Sequence, residues 1–218
     1  MLRLAPGAAI ALFNGKDGEW VARIEGFSRG SSALVIERQS RVQVPDADLW
    51  LLFAPIKRAR IDFLVEKATE LGVSALYPVM TRHTMVERVN LARLAANAIE
   101  AAEQSERLTV PHIHAPLPLD RLLGEWDGAR RLVLCDETRT APPIATALGP
   151  MGDDPLAVLI GPEGGFAEDE LDALRKLPFV CPVSLGSRVL RADTAALAGL
   201  AIVQALRGEV VARGVTAR

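Results

Sequence analysis

Short apolar runs broken by turn formers fill the first fifty positions of the chain, and from Leu49 onward apolar runs alternate with stretches of helical period. Ala8 to Phe13 is apolar, Asn14-Gly15-Lys16-Asp17-Gly18 is dense in turn residues, and Glu19 to Ile24 alternates, which predicts a β-hairpin. Ser32 to Glu37 and Arg41 to Val44 predict a second pair of strands. With few helix-period signals here, a small β-barrel or β-sandwich is the economical solution, closed by Pro45-Asp46-Ala47-Asp48.

The rhythm then changes. Leu49 to Ala54 is an apolar strand, and Ile61, Leu64, Val65, Ala68 and Leu71 fall at the spacing of one helix face, with Gly72 where a C-terminal cap belongs. Lys57, Arg58, Glu66, Lys67 and Glu70 take the opposite face. A strand at Ala75 to Met80 precedes a helix opening at Asn90 with Leu91, Leu94, Ala95, Ala98 and Ala102 inward. Strands are predicted again at Leu132 to Cys135, Leu156 to Ile160 and Val180 to Leu185, and helices at Pro143 to Leu148, Glu168 to Leu177 and Asp193 to Arg207. Such alternation is the mark of an α/β fold with a largely parallel sheet, and it divides the chain into a β-domain over residues 1–50 and an α/β domain over 51–218.

Composition narrows the class. The chain has 218 residues with 25 Lys and Arg against 27 Asp and Glu, 50% hydrophobic and 24% charged, a globular balance that excludes a disordered or collagenous chain. Its apolar stretches are too short to span a bilayer, which takes about 20 residues, and Met1 to Pro6 has no leader pattern, so a cytoplasmic location is expected. Cys135 and Cys181 sit in separate strand-like segments, as buried reduced thiols do. His112 and His114 could ligate a metal, but no neighbouring Cys, Asp or Glu completes the set, so they and His83 read as loop histidines and no metal is expected.

In open α/β sheets ligands gather beyond the carboxyl ends of the strands. The loops there read Cys135-Asp136-Glu137-Thr138, Gly161-Pro162-Glu163-Gly164-Gly165-Phe166 and Gly186-Ser187-Arg188-Val189-Leu190-Arg191. Three glycines around a Pro-Glu pair serve either a tight turn or the close approach of a ligand. The loop lacks both G-x-x-x-x-G-K-[ST] and G-x-G-x-x-G, and Glu163 would repel a phosphate. A carboxylate beside bare backbone suits a neutral or cationic ligand, such as S-adenosylmethionine with its sulfonium and ammonium.

Leu159-Ile160-Gly161-Pro162-Glu163-Gly164-Gly165-Phe166 and the later Leu185-Gly186-Ser187-Arg188-Val189-Leu190-Arg191-Ala192-Asp193-Thr194-Ala195 resemble the ribosomal RNA small subunit methyltransferase E family. These SPOUT-class enzymes methylate N3 of a uridine in 16S ribosomal RNA. Glu66-Lys67-Ala68-Thr69-Glu70-Leu71-Gly72-Val73 and Glu100-Ala101-Ala102-Glu103-Gln104-Ser105-Glu106-Arg107 extend the resemblance over most of the chain. It implies a SPOUT-type trefoil-knot domain that holds S-adenosylmethionine bent against the three loops, an N-terminal PUA-like β-barrel for RNA, and a homodimer. Three features depart from the family pattern. Members usually begin further upstream, which points to an incomplete β-domain; Ala167 stands where Ser is common; and Asp193 replaces a Glu.

Uracil N3 is a poor nucleophile until its proton leaves, so the site must stabilise negative charge on O2 and O4. The resemblance and this chemistry nominate Arg191, then Arg188, with Arg3 reaching in from the other domain or subunit. Their alternative is an ion pair with Asp193 or Glu163, the two carboxylates available as a base, unless hydroxide suffices. Leu134, Ile160, Gly161, Glu163, Gly164, Gly165, Leu185, Gly186, Leu190, Thr194 and Ala195 are the expected cofactor-binding positions. Arg3, Lys57, Arg58, Arg60, Arg82 and Arg107 are the expected RNA contacts, forming a local basic patch within a chain of net charge −2. So weakly basic an enzyme is expected to require the assembled 30S particle. The alternatives are another SPOUT enzyme acting on tRNA or on a ribose 2′-oxygen, and an inactive RNA-binding assembly factor. A NAD-dependent dehydrogenase fits worst, since its glycine fingerprint is missing.

Overall fold

A computed structural model describes residues 4–86, 88–149 and 154–207, without the side chain of Arg58. Strands β1 (Ala9–Phe13), β2 (Glu19–Ser28) and β3 (Ser31–Arg41) form an antiparallel sheet in that order. The predicted hairpin is β1 and β2. The predicted second pair is instead one continuous strand, β3, and residues 42–48 form no strand. Two irregularities in the β2–β3 register, which leave Glu37 and Ser40 unpaired in the ladder, let Arg38, Gln39 and Arg41 stay paired where alternation alone suggested a break. Ala22 and Ile24 are buried in this sheet, whereas Leu34, Val35 and Ile36 of β3 are exposed.

The remaining elements are β4 (Leu49–Phe53), α1 (Arg58–Glu70), β5 (Ala75–Met80), α2 (Leu91–Gln104), β6 (His112–Ile113), β7 (Leu117–Pro118) and α3 (Leu119–Gly124). They continue as β8 (Arg131–Cys135), α4 (Ile144–Leu148), β9 (Leu156–Ile160), α5 (Glu168–Arg175), β10 (Val180–Val183) and α6 (Ala192–Arg207). The second sheet is parallel in the order β10-β8-β9-β4-β5-β6, with β7 also pairing to β5. Every residue of β9 is buried, because helices cover both faces and leave no polar side to the strand.

Alternate side chains feed two cores. Leu49, Leu51, Phe53, Val133, Val158 and Ile160 pack with α1, α2, α4 and α6 on one face, and Leu52, Leu132, Leu134, Ala157 and Leu159 pack with α3 and α5 on the other. Leu71 caps α1 with Gly72 following, and the Asn90 side chain accepts from the Arg93 N–H at the start of α2. The order in which strands are added reverses between β4, whose successor β5 lies on one side, and β9, whose successor β10 lies on the other. Such a switch point, here at the carboxyl ends of β4 and β9, is where α/β sheets bind ligands in a crevice. Among the described residues no helix is long and apolar enough to cross a membrane. Both cysteines are free; Cys135 is buried, which pushes its thiol up to about 12, and Cys181 is half-buried.

Candidate active site

The chain leaves β4 through Ala54 to Lys57, and the Ala54 N–H donates to the Ile160 carbonyl at 3.1 Å, which brings this exit beside that of β9. The loop after β9 then folds on itself. Gly165 donates to the Pro162 carbonyl at 2.9 Å, and the Phe166 N–H donates to Glu137 Oε1 at 2.8 Å. Two glycines are dictated by this packing. Gly165 has φ +74° and a Cβ there would lie 2.8 Å from Glu137 Oε1; a Cβ at Gly161 would lie 2.7 Å from the Phe166 ring. Close approach to a ligand, expected of Gly164 and Gly165, is therefore not what makes Gly165 necessary. Gly164 has only His83 Cβ nearby, at 3.7 Å, and the His83 ring nitrogen Nδ1 meets the Gly165 carbonyl at 3.0 Å.

Arg60, placed on the first turn of α1, joins the crevice together. Its Nε donates to Asp193 Oδ2 at 3.0 Å, its Nη2 to Asp193 Oδ1 at 2.5 Å, and its Nη1 to Glu163 Oε1 at 2.5 Å. Hydrogen bonding to Asp193, opposed by burial and reinforced by both carboxylate charges, raises the Arg60 pKa. Burial pushes the Asp193 carboxyl up, but hydrogen bonds from Arg60 and the Thr194 N–H, with the Arg60 charge, hold it below the usual carboxylate range. The alternative for Arg191 and Arg188, an ion pair with Asp193 or Glu163, is not formed: both carboxylates belong to Arg60. Arg188 and Arg191 are exposed, and neither side chain makes a hydrogen bond or ion pair among the described residues; the same holds for Lys57.

A second charged cluster fixes the loop after β8, and the sequence reading gave it no role. Asp136 is buried and accepts from Arg175 Nε and Nη2 at 3.0 and 2.5 Å, from the Thr138 N–H at 2.8 Å and from the Thr138 hydroxyl at 2.6 Å. Burial raises the Asp136 pKa, but the Thr138 and Arg175 hydrogen bonds overcome it and leave the carboxyl depressed. Arg139 reaches across to donate to the Ser187 carbonyl at 3.1 Å, tying this loop to the one after β10. The signal for Asp136 in the sequence is a pair of acids, Asp136-Glu137, straight after an apolar strand.

The other predicted positions divide. Leu134 is buried within β8, paired to β9 and β10 on either side. Ile160 is likewise buried, at the end of β9. Leu185 and Leu190 are half-buried, Gly186 is exposed, and Thr194 and Ala195 lie on the first turn of α6. Arg107 is not a surface cation: its side chain is 10% exposed and donates to the carbonyls of Thr69 and Val73, to Asp46 and to the Thr109 hydroxyl. Arg60 is committed to its two carboxylates. Arg82 is exposed but forms a bidentate pair with Asp169 at 2.6 and 2.7 Å. Arg3 and the Arg58 side chain lie outside the described residues.

The residues around the crevice fit S-adenosylmethionine. Leu185 and Leu190 offer a half-buried apolar wall for a ring, and their N–H groups donate to no acceptor among the described residues. Glu163, 46% exposed despite its contact with Arg60, supplies the negative charge that a cationic ligand requires.

A parallel sheet with a carboxyl-edge crevice of this kind is that of an RNA methyltransferase domain, and residues 43–204 match the family model of that description. The chain is 32% identical over 206 residues to the ribosomal RNA small subunit methyltransferase E of Rickettsia conorii, covering 94% of this chain and 84% of that one. It superimposes with a TM-score of 0.84 on a ribosomal RNA small subunit methyltransferase E from Neisseria gonorrhoeae bound to S-adenosyl methionine, at 28% identity, covering 96% of this chain and 87% of that chain. A methyltransferase structure from Legionella pneumophila in complex with the bound cofactor SAM gives a TM-score of 0.82 at 29% identity, covering 95% and 87%. The chain belongs to the ribosomal RNA small subunit methyltransferase E family.

Proposed function

We propose that this chain transfers a methyl group from S-adenosylmethionine to N3 of a uridine in 16S ribosomal RNA within the 30S particle. The observation that carries the reading is the pair of unpaired arginines, Arg188 and Arg191, in the loop after β10, whose neighbour in the chain, Asp193, is bound by Arg60. Bound S-adenosylmethionine supplies an electrophilic methyl carbon. The guanidinium groups of Arg191 and Arg188 stabilise charge on the uracil oxygens as the N3 proton leaves, and a donor to such an oxyanion is typically worth about a hundredfold or more in rate. Glu163 and Asp193 are poor bases in this reading, since accepting a proton would cost each its contact with Arg60; hydroxide from solvent takes the proton.

The loops after β9 and β10, with the start of α6, hold the cofactor through Leu185, Leu190 and Glu163, with Gly164, Gly186, Thr194 and Ala195 alongside. The segment after β10 is read as the threading part of a trefoil knot, residues 1–50 as a PUA-like RNA-binding domain, and the working form as a homodimer in the cytoplasm. Lys57, unpaired at the entry to α1, is the favoured phosphate contact, while Arg82 would have to leave Asp169 to make one.

Calorimetric titration with S-adenosylmethionine, followed by transfer of labelled methyl to undermethylated 30S particles, naked 16S RNA and tRNA, tests the proposal. Saturable binding with label confined to 30S particles is expected. Binding with tRNA as the preferred acceptor would overturn the substrate, and absence of binding would overturn the enzyme.

A further inference from the structure

We infer that Arg60 is a positioning residue that locks the two cofactor loops together and keeps their carboxylates away from Arg188 and Arg191; its catalytic consequence rests on the function proposed above. Three elements far apart in the chain meet at this one guanidinium: the first turn of α1, the loop after β9 through Glu163, and the first turn of α6 through Asp193. The Arg60 side chain is 23% exposed and that of Asp193 is 15% exposed, so water competes weakly for the bidentate arm. The Glu163 arm is a single hydrogen bond to a residue 46% exposed, which makes it the looser of the two.

Geometry explains why an arginine serves here. Asp193 holds its carboxylate close to the α6 backbone, where the Thr194 N–H also donates to Oδ1 at 2.8 Å. A short acid fixed in this way is met by a long planar fork that reaches it with two nitrogens and still has a third to offer Glu163. A lysine carries one point charge on a different reach and cannot make the same three contacts.

The lock also has an electrostatic role. Without Arg60, Asp193 and Glu163 would lose their cation, and Arg191 and Arg188, two and five residues before Asp193 in the chain, would be the free cations able to pair with them and so be held from a substrate. Removing Arg60 should therefore cost more than the contacts it makes.

Four proteins test this: wild type, Arg60→Met, Arg60→Lys and the double variant Arg60→Lys/Asp193→Glu. Hydrogen exchange of the unliganded proteins is expected to accelerate at least tenfold across 161–167 and 184–193 in Arg60→Met, with β8 and the Asp136 loop unchanged. S-adenosylmethionine affinity should weaken about tenfold in Arg60→Met and about threefold in Arg60→Lys, and the double variant, whose longer acid meets the single ammonium, should recover to within twofold of wild type. The methylation rate at saturating cofactor should fall about a hundredfold further in Arg60→Met, since displaced arginines affect kcat. Unchanged exchange in both loops, or a double variant no better than Arg60→Lys, would overturn the inference. Should wild type bind the cofactor yet methylate nothing in 30S particles, the exchange and affinity series still decide the lock while the substrate assignment falls; should it bind no cofactor, exchange alone decides it.

Discussion

The two edges of the parallel sheet use arginine in opposite ways. At the amino edge Arg130, its side chain 7% exposed, makes a bidentate pair with Asp48 at 2.9 and 2.5 Å and lies 3.5 Å over the Trp50 ring. Trp50 in turn tilts against Tyr77 at 4.7 Å, and Tyr77 stacks on His114 at 3.7 Å. Burial raises the Tyr77 pKa and, with the charge of His112, lowers that of His114. At the carboxyl edge Arg60 is paired just as fully, but Lys57, Arg188 and Arg191 around it have no partner among the described residues. Arg130 and Arg60 are covered and paired and belong to the fold, whereas Lys57, Arg188 and Arg191 are free to meet a ligand.

That contrast can be broken from either edge. Arg130→Met removes a buried charge from beneath a ring and leaves Asp48, itself 44% exposed, to solvent. Because that carboxylate can hydrate, the lower end of the range for breaking a buried pair applies, about 3 kcal/mol of unfolding free energy in urea melts. Cofactor affinity should not move, and a tenfold loss there would show that the edges are coupled. Arg191→Ala is expected to do the reverse, lowering kcat by about a hundredfold with the melting temperature unchanged; a large drop in melting temperature would mean that Arg191 is structural.

Acid acts on the paired carboxylates. Asp136 and Asp193 titrate below their unfolded value of about 3.9, so the stability they contribute is fully present above that pH and disappears as pH falls through their depressed folded values. His114, whose folded pKa is lowered, adds a shallower loss that begins as pH drops below about 6.5, because the unfolded chain then binds the proton more readily. Urea midpoints at pH 7, 5 and 3 should show a small step and then a steep one, with the steep step reduced in Asp136→Asn. The smallest expected effect is at the N-cap of α5. Ala167 accepts no hydrogen bond with its side chain, and Glu170 makes the only half of a capping box by accepting the Ala167 N–H at 3.1 Å. Ala167→Ser should add about 1 kcal/mol by supplying the missing half.

Much of the fold was legible in the chain because its strands are uniformly apolar or its caps are explicit. Leu156 to Ile160 and Ala75 to Met80 fall where the pattern placed them, and Asn90 caps α2. The two-residue strands β6 and β7 and the six-residue α3 went unread, since none is long enough to display a period. At the site, the loops were legible from glycine and charge, but the pairing was not. Arg60 and Asp193 lie 133 residues apart, so nothing local told that Arg60 rather than Arg191 would take the carboxylate. Ala167 leaves the N-cap of α5 without a side-chain acceptor, and Glu170, one turn in, folds back to accept the Ala167 N–H. Arg107 looked like any surface cation and is instead enclosed by carbonyls.

The central claim is that the unpaired arginines of the carboxyl edge serve methyl transfer to a uracil nitrogen. The most direct test digests 16S RNA from methylated 30S particles to nucleosides and identifies the modified one by mass spectrometry, for wild type and Arg191→Ala. A single N3-methyluridine, made by wild type and nearly absent with Arg191→Ala, is the predicted result. A ribose 2′-O-methyl product, or wild-type levels of N3-methyluridine without Arg191, would contradict the account.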